Sequence, residues 1–315
     1  MPKANPPVRL ERLRWKGKTS YRVLSYYFSV RWTWVEAGEL AHRVLQEFAV
    51  PPDPEEERNP PTPGMPPCYS LVATGRGRDR RYELFYSDRM MFGGSEPSTI
   101  LESFFWHVNA ETIRRTGDFL LIHAGAVVTL TGEGVLIVGG SGSGKTTLTA
   151  ALVRRGFGYL SDEAGAIDPV TRRLFPYPKA LSVKVSKPDL FPERLDGDGT
   201  GMLRNMRYLL PDEIRPGCVS GPCDVRFVVA HRYDDGAPTS LTPITSAAGI
   251  VELGRNALNL SIYGSRGLTL LADVASGASH FTLVSRTLEE ALQAVVGLTG
   301  VESPGLKAEA AQPTS

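Results

Sequence analysis

The amino-acid sequence predicts an α/β protein built from two domains. The chain has 315 residues, of which 42% are hydrophobic and 22% charged, a composition typical of folded globular proteins. At about 150 residues per domain, this length corresponds to two domains. From Gly117 onward, apolar runs alternate with glycine turns and helical patterns, as in an α/β domain. We therefore predict an N-terminal α/β lobe over residues 1–117, a second domain over residues 118–300 and a frayed tail over residues 301–315.

The N-terminal lobe shows both strand and helix patterns. Aromatic and β-branched residues crowd residues 21–34 and predict one or two strands. An apolar face predicts a short helix over residues 36–48. Strand-like runs over residues 69–74 and 82–86 flank a glycine-arginine turn and predict a hairpin. A further helical pattern covers residues 97–116.

A proline-rich segment over residues 51–67 follows the first predicted helix. Eight of its seventeen residues are proline, and three consecutive glutamates lie among them. Because proline lacks a backbone donor and stops helices, this segment is predicted to be a surface loop or linker. A docking segment for a polyproline-binding partner is the alternative.

Charge and cysteine content narrow the range of functions. Thirty-five Lys and Arg residues balance 34 Asp and Glu residues, so no overall field draws the chain to nucleic acid or to an anionic membrane. We expect no nucleic-acid and no membrane partner, and any anion must bind at a local site. Three cysteines without paired spacing predict neither a disulfide framework nor a zinc cluster. No apolar run fits a secretory signal or a membrane span, so a cytoplasmic protein is expected.

A glycine loop over residues 139–146 carries the strongest chemical signal. An apolar strand over residues 134–139 precedes it and a helix over residues 147–155 follows, which is the context that the pattern G-x-x-x-x-G-K-[ST] requires. Backbone N–H groups of such a loop converge on phosphate oxygens, and the helix N-terminus adds partial positive charge. The candidate nucleotide ligands are Gly139, Gly140, Ser141, Gly142, Ser143, Gly144, Lys145, Thr146 and Thr147.

Two side chains of the glycine loop have distinct expected roles. Lys145 is expected to contact the β- and γ-phosphates, and the Thr146 hydroxyl to coordinate Mg²⁺. ATP and Mg²⁺ are therefore the predicted ligands. A preference for ATP over GTP is left open, because no group of residues that would recognise adenine is evident in the sequence.

Two neighbouring acids, Asp162 and Glu163, begin seventeen positions beyond Lys145. A helix of about ten residues leads ~15 Å away from the loop, and the next parallel strand returns to the same sheet edge. Both acids are therefore expected near the phosphates. Such a pair can supply one general base and one metal ligand. A turn acid that caps the next element is the alternative.

Further cations follow along the chain. An apolar strand ends at His231 and Arg232, and this position favours Arg232 as a cation that stabilises charge on a transferring phosphoryl group. His231 is interpreted as a packed or solvent-facing residue. Lys179 and Lys184 are interpreted either as partners of phosphate groups or as solvated side chains.

Four segments resemble the C-terminal catalytic domain of HPr kinase/phosphorylase and the broader HPr-kinase-like group, whose nucleotide fold is related to phosphoenolpyruvate carboxykinase. They are LIHAGAV (121–127), GVLIVGGSGSGKT (134–146), RGFGYLSDE (155–163) and IDP (167–169). The resemblance covers roughly residues 117–300 and implies a P-loop kinase domain of that type. It also implies that His123 is the active-site histidine, Asp162 the catalytic base and Glu163 a metal ligand.

The chain departs from that family in two respects. The best-known members carry Asp-Asp where this chain has Asp162 and Glu163, and their second signature, for the phosphorylase reaction, is not found. The form YLSDE looks more like HPr-kinase-related proteins found beside peptide-maturation or polysaccharide genes, so HPr is not the expected substrate.

The expected activity is transfer of the ATP γ-phosphoryl to a hydroxyl of a peptide, a protein or a small molecule. A nucleotide-binding regulatory module and an NTP hydrolase are the alternatives, and a homo-oligomer is left open.

Overall fold

The chain forms two compact units of mixed α/β structure. A computed structural model describes residues 9–51, 66–184, 203 and 206–300. One unit comprises residues 1–119 and 179–210, and the other comprises residues 120–178 and 211–315. Most of the proline-rich segment and the predicted tail lie outside the described residues. No helix in the described ranges is long and apolar enough to cross a membrane.

The first unit contains a six-stranded sheet. Its order is β3-β1-β2-β4-β5-β6, with β2 and β4 parallel and the other neighbours antiparallel. The strands are β1 (Gly17–Val23), β2 (Tyr26–Trp32), β3 (Ala49–Val50), β4 (Cys68–Thr74), β5 (Arg81–Tyr86) and β6 (Arg89–Gly94). These bounds confirm the strands predicted within residues 21–34 and the hairpin predicted from residues 69–74 and 82–86.

Two helices, α1 (Val35–Leu45) and α2 (Pro97–Arg115), accompany this sheet. Both confirm helices predicted from apolar spacing. Aromatic rings fill the space under them: Tyr26 stacks on Phe28 at 4.8 Å between ring centroids, and Phe104 of α2 meets Tyr69 edge-on at 5.2 Å. Such pairs contribute beyond their buried area, which explains why this region is rich in aromatic residues.

The second unit begins with the elements that surround the glycine loop. They are β7 (Leu120–Ile122), β8 (Ala124–Val128), β9 (Gly134–Val138), α3 (Lys145–Arg154), β10 (Gly158–Ser161), β11 (Gly165–Ile167) and β12 (Leu174–Phe175). Every residue of β9 is buried, as expected for a strand covered on both faces. The predicted succession of strand, glycine loop and helix is confirmed.

A pair of short antiparallel strands, β13 (Leu181–Lys184) and β14 (Met206–Leu209), belongs to the first unit. Tyr208 packs on Phe105 of α2, with 4.5 Å between the ring centroids. The boundary drawn from the sequence near residue 117 assigned this segment to the second domain. Local patterns cannot reveal an aromatic contact between residues a hundred positions apart.

The remaining elements complete a second six-stranded sheet, ordered β10-β8-β9-β15-β17-β16. They are α4 (Pro211–Ile214), β15 (Val225–Tyr233), β16 (Ser240–Ile244), α5 (Ser246–Arg255), α6 (Leu260–Tyr263), α7 (Ser265–Ser276), β17 (Ser279–Ser285) and α8 (Leu288–Leu298). Helices α5 and α7 share a core with β9 and β15, in which Leu136, Val228, Leu253 and Leu271 are buried.

Strand direction places the carboxyl ends of four strands at one edge of this sheet. β15 is parallel to β9 and to β17. β8 is antiparallel to both β9 and β10, so β10 runs in the direction of β9 with β8 between them. Ligands of open α/β sheets bind outside the carboxyl ends of the strands. This edge, where the glycine loop begins, is therefore the expected position of a ligand-binding site.

Candidate functional site

Three glycines give the glycine loop its backbone course. Gly142 and Gly144 have φ angles of 82° and 92°, in the left-handed region that favours glycine. Gly139 is required for a different reason: a Cβ atom there would lie 2.4 Å from the carbonyl oxygen of His231. The glycine spacing of the motif is thus explained by two left-handed turns and one close backbone approach.

Lys145, the first residue of α3, turns back over the loop. Its Nζ donates hydrogen bonds to the carbonyl oxygens of Gly139 at 2.7 Å and Gly140 at 3.0 Å. Burial lowers the pKa of this amine, and the nearby Glu163 carboxylate opposes that effect. The ammonium group is thus held at the mouth of the loop with a carboxylate close enough to interact with it.

Asp162 follows the end of β10 and lies inside the protein. Its side chain is buried, and Oδ1 accepts a hydrogen bond from the Tyr159 hydroxyl at 3.2 Å. Burial and the Asp162 carboxylate together hold the pKa of Tyr159 well above its ordinary value. Tyr159 therefore stays a neutral donor that positions the carboxylate.

Glu163 is directed toward His123 at the start of β8. The Nδ1 atom of His123 lies 3.0 Å from the backbone carbonyl oxygen of Glu163 and 3.8 Å from its Oε1. A carbonyl oxygen only accepts hydrogen bonds, so Nδ1 carries the hydrogen. Both side chains are partly exposed, at 31% and 27%. The two successive acids thus have different environments, one interior and one open to solvent.

A pocket of about 500 Å³ opens beside the glycine loop. Residues 139–143 form one wall, and residues 230–233 at the carboxyl end of β15 form another. Glu252 of α5 and Thr282 of β17 complete the lining. Arg232 presents an exposed guanidinium group there, 3.4 Å from Asp234. The pocket therefore carries a cation, Arg232, beside the backbone N–H groups of the loop.

The structure brings most of the predicted site residues to one region. Residues 139–143 of the loop and Arg232 line the pocket. Lys145 and Glu163 interact electrostatically, and His123 contacts Glu163. Lys179 belongs to the first unit, where its Nζ donates to the carbonyl oxygen of Ala180. The side chain of Lys184 lies outside the described residues.

Sequence reasoning missed Glu252 and Thr282. Each is a single polar residue within a helix or strand pattern, and no motif marks it. His231, interpreted as packed or solvent-facing, is buried against the glycine loop. Only the folding of α5, β15 and β17 around the same sheet edge brings these residues to the loop.

The residues at this edge fit Mg²⁺ bound together with phosphate groups. Among the described residues, no cluster of three or more His, Cys, Asp or Glu side chains could hold a metal by itself. Mg²⁺ is usually bound by one or two carboxylates plus phosphate oxygens and water. Glu163, a partly exposed carboxylate close to Lys145, meets that requirement, and Thr146 supplies a hydroxyl in the first turn of α3.

Comparison with solved structures gives distant similarities, including one to a kinase/phosphatase. The chain is similar to the HPr(Ser) kinase/phosphatase from Coxiella burnetii, with a TM-score of 0.29 and 15% sequence identity, over 57% of this chain and 92% of that one. No protein-family model matches the sequence, and no curated protein matches it either. A TM-score this low supports no argument about activity, so the interpretation of the site depends on its own residues.

Proposed function

We propose that the chain is an ATP-dependent phosphotransferase whose second unit is a P-loop kinase domain of the HPr-kinase type. One observation carries the proposal: a buried Lys145 is held over a loop with left-handed glycines, at the carboxyl edge of the sheet and beside a pocket that Arg232 lines. A loop of this kind, followed by a helix of ten residues, is a binding site for phosphate groups.

The proposed roles follow from where each group lies. Loop N–H groups and Lys145 bind the phosphates, and Arg232 stabilises charge on the transferring group. Thr146 and Glu163 would hold Mg²⁺, which when bound neutralises phosphate charge. His123, whose Nδ1 donates to Glu163, keeps that residue in place.

Asp162 remains the proposed base. It accepts the proton of the acceptor hydroxyl as the acceptor oxygen bonds to the γ-phosphorus and the bond from that phosphorus to the bridging oxygen breaks, releasing ADP. The Tyr159 hydroxyl orients the carboxylate for this transfer. The acceptor is a hydroxyl of a peptide, a protein or a small molecule.

Nucleotide binding tests the proposal first. Lys145→Met removes the ammonium group and keeps most of the side-chain volume, so we expect it to abolish Mg-ATP binding measured by calorimetry. Lys16→Met makes the same chemical change at an exposed position of the first unit and should bind as the wild type does. Equal binding by the two variants, or no binding by the wild type, would contradict the proposal.

Labelled ATP then separates the three candidate activities. Wild-type protein is incubated with [γ-³²P]ATP, Mg²⁺ and a panel of peptides, proteins and hydroxylated metabolites. Label on an acceptor indicates a kinase, and free phosphate in every reaction indicates an NTP hydrolase. Bound but unchanged ATP indicates a regulatory module. Lys145→Met serves as the background measurement.

A further inference from the structure

One residue contacts both ends of the glycine loop. His231, near the carboxyl end of β15, places its carbonyl oxygen 2.4 Å from the position that a Cβ atom of Gly139 would take. Its ring atom Cε1 lies 3.4 Å from the corresponding position at Gly144. The backbone carbonyl of His231 therefore leaves no room for a side chain at Gly139, and its ring lies at van der Waals distance from Gly144.

The His231 ring is fixed by a neighbouring strand. Its Nε2 lies 2.8 Å from the Ser285 hydroxyl at the end of β17. Both residues are buried, with 5% and 1% of their surfaces exposed. Because β15 and β17 are parallel neighbours, the hydrogen bond is anchored in the sheet and holds the ring in one orientation.

Two polar atoms beside the loop have no hydrogen-bond partner among the described residues. They are Nδ1 of His231 and the hydroxyl oxygen of Ser143. An unpaired buried polar atom costs about 1–3 kcal/mol, so stability alone does not explain a histidine here. A leucine would fill a similar volume without that penalty. His280 also has an Nδ1 atom without a partner among the described residues, so what distinguishes His231 is its position beside the loop.

The charge state of the ring suits a phosphate site. Burial, and secondarily the positive charge of Lys145, lowers the pKa of His231 to about 4. The imidazole is neutral near pH 7 and does not repel the ammonium group of Lys145. A cationic ring at this position would push that group away from the loop.

We propose that His231 is a positioning residue for phosphate binding: its ring, oriented by Ser285, packs against Gly144 of the glycine loop, while its backbone carbonyl lies against Gly139. The inference rests on the proposed function, since it assumes that this loop binds phosphate groups. It assigns to a residue outside the motif the role of keeping the loop backbone in its phosphate-binding conformation.

The test compares histidines that are buried in the same sheet. His280 of β17 is also buried, donates from Nε2 to the Ala275 carbonyl oxygen at 2.8 Å, and has an Nδ1 atom without a partner among the described residues. It packs against Gly249 of α5 rather than against the loop. His280→Leu is therefore the matched control for His231→Leu.

Binding of Mg-ATP and of inorganic tripolyphosphate is measured by calorimetry, and melting temperature by circular dichroism. We expect His231→Leu to weaken both ligands by about tenfold or more, while His280→Leu lowers the melting temperature without changing either affinity. His231→Gln, which retains a group able to bond the Ser285 hydroxyl, should recover most of the affinity. Ser285→Ala should weaken tripolyphosphate although His231 is intact.

The outcomes are decisive in each case. Equal affinities in the wild type, His231→Leu and Ser285→Ala would overturn the inference and leave the proposed function standing. Equal weakening by His231→Leu and His280→Leu would assign His231 a purely structural role and overturn it as well. Failure of the wild type to bind either ligand would refute the proposed function together with the inference. If His231→Leu does not fold, Ser285→Ala and His231→Gln decide.

Discussion

The stability of the protein should fall between pH 7 and pH 5 because of His231. Burial first, and then Lys145, lowers the pKa of this residue from 6.5 to about 4 in the folded protein. In the unfolded chain the ring takes up a proton in this pH range, whereas the folded protein keeps it neutral. The unfolded state therefore binds more protons and becomes more favourable as the pH falls. The contribution is complete above pH 6.5 and is lost progressively toward pH 4.

The magnitude follows from the difference between these two pKa values. From 6.5 to about 4, at roughly 1.4 kcal/mol per pKa unit, the full effect is about 3 kcal/mol. About 2 kcal/mol of it falls between pH 7 and pH 5, where the unfolded ring becomes protonated and the folded ring does not. This is a sizeable part of the 5–15 kcal/mol by which domains are usually stable.

Urea denaturation of the wild type and of His231→Gln at pH 7, 6 and 5 measures this contribution. Glutamine does not titrate, and all other ionisable groups are common to both proteins. We expect the difference in unfolding free energy, wild type minus variant, to decrease by about 2 kcal/mol from pH 7 to pH 5. Parallel pH dependences of the two proteins would refute the reasoning, because they would mean that folding does not hold His231 neutral.

The two acids and the end of α3 allow further predictions. Asp162→Asn should lower phosphotransfer by about 10²–10⁴-fold with nearly normal Mg-ATP affinity. Tyr159→Phe removes only a donor that orients the carboxylate and should cause a smaller loss; unchanged phosphotransfer by Asp162→Asn would refute the role of Asp162 as the base. Glu163→Gln should raise the Mg²⁺ concentration needed for half activity. If excess Mg²⁺ instead restores the activity of Asp162→Asn, then Asp162 is the metal ligand and Glu163 the base. Arg215 donates to three backbone carbonyls at the end of α3 and in the turn after it, so Arg215→Ala should lower the unfolding free energy by about 2 kcal/mol in urea. Unchanged stability would show that these bonds contribute little.

Local patterns were sufficient for the elements that frame the candidate site. The apolar run of β9, the glycines of the loop and the helix after it are read directly from the sequence. Each depends on interactions within a few residues: alternation or helical spacing of apolar side chains, and backbone angles that glycine adopts without strain. The direction of β10 could also be inferred, because a helix that leads away from the loop needs a strand that returns.

The environments of the two acids could not be inferred in the same way. The spacing from Lys145 placed Asp162 and Glu163 near the loop but not relative to each other. The folded chain buries Asp162 against Tyr159 and turns Glu163 toward His123. The contact between Glu163 and His123 joins residues forty positions apart, and the burial of Asp162 depends on the packing of the whole unit.

Local sequence therefore sufficed for the motif of the glycine loop and for the strand and helix on either side of it. Long-range packing places residues 179–210 in the first unit, Glu252 and Thr282 in the lining of the pocket, and His231 against the loop. The reason is physical: local periodicity reports which face of an element is apolar, but the partner that covers that face comes from a distant part of the chain. Close approaches, burial and the pKa shifts that they cause exist only once those distant parts have packed together.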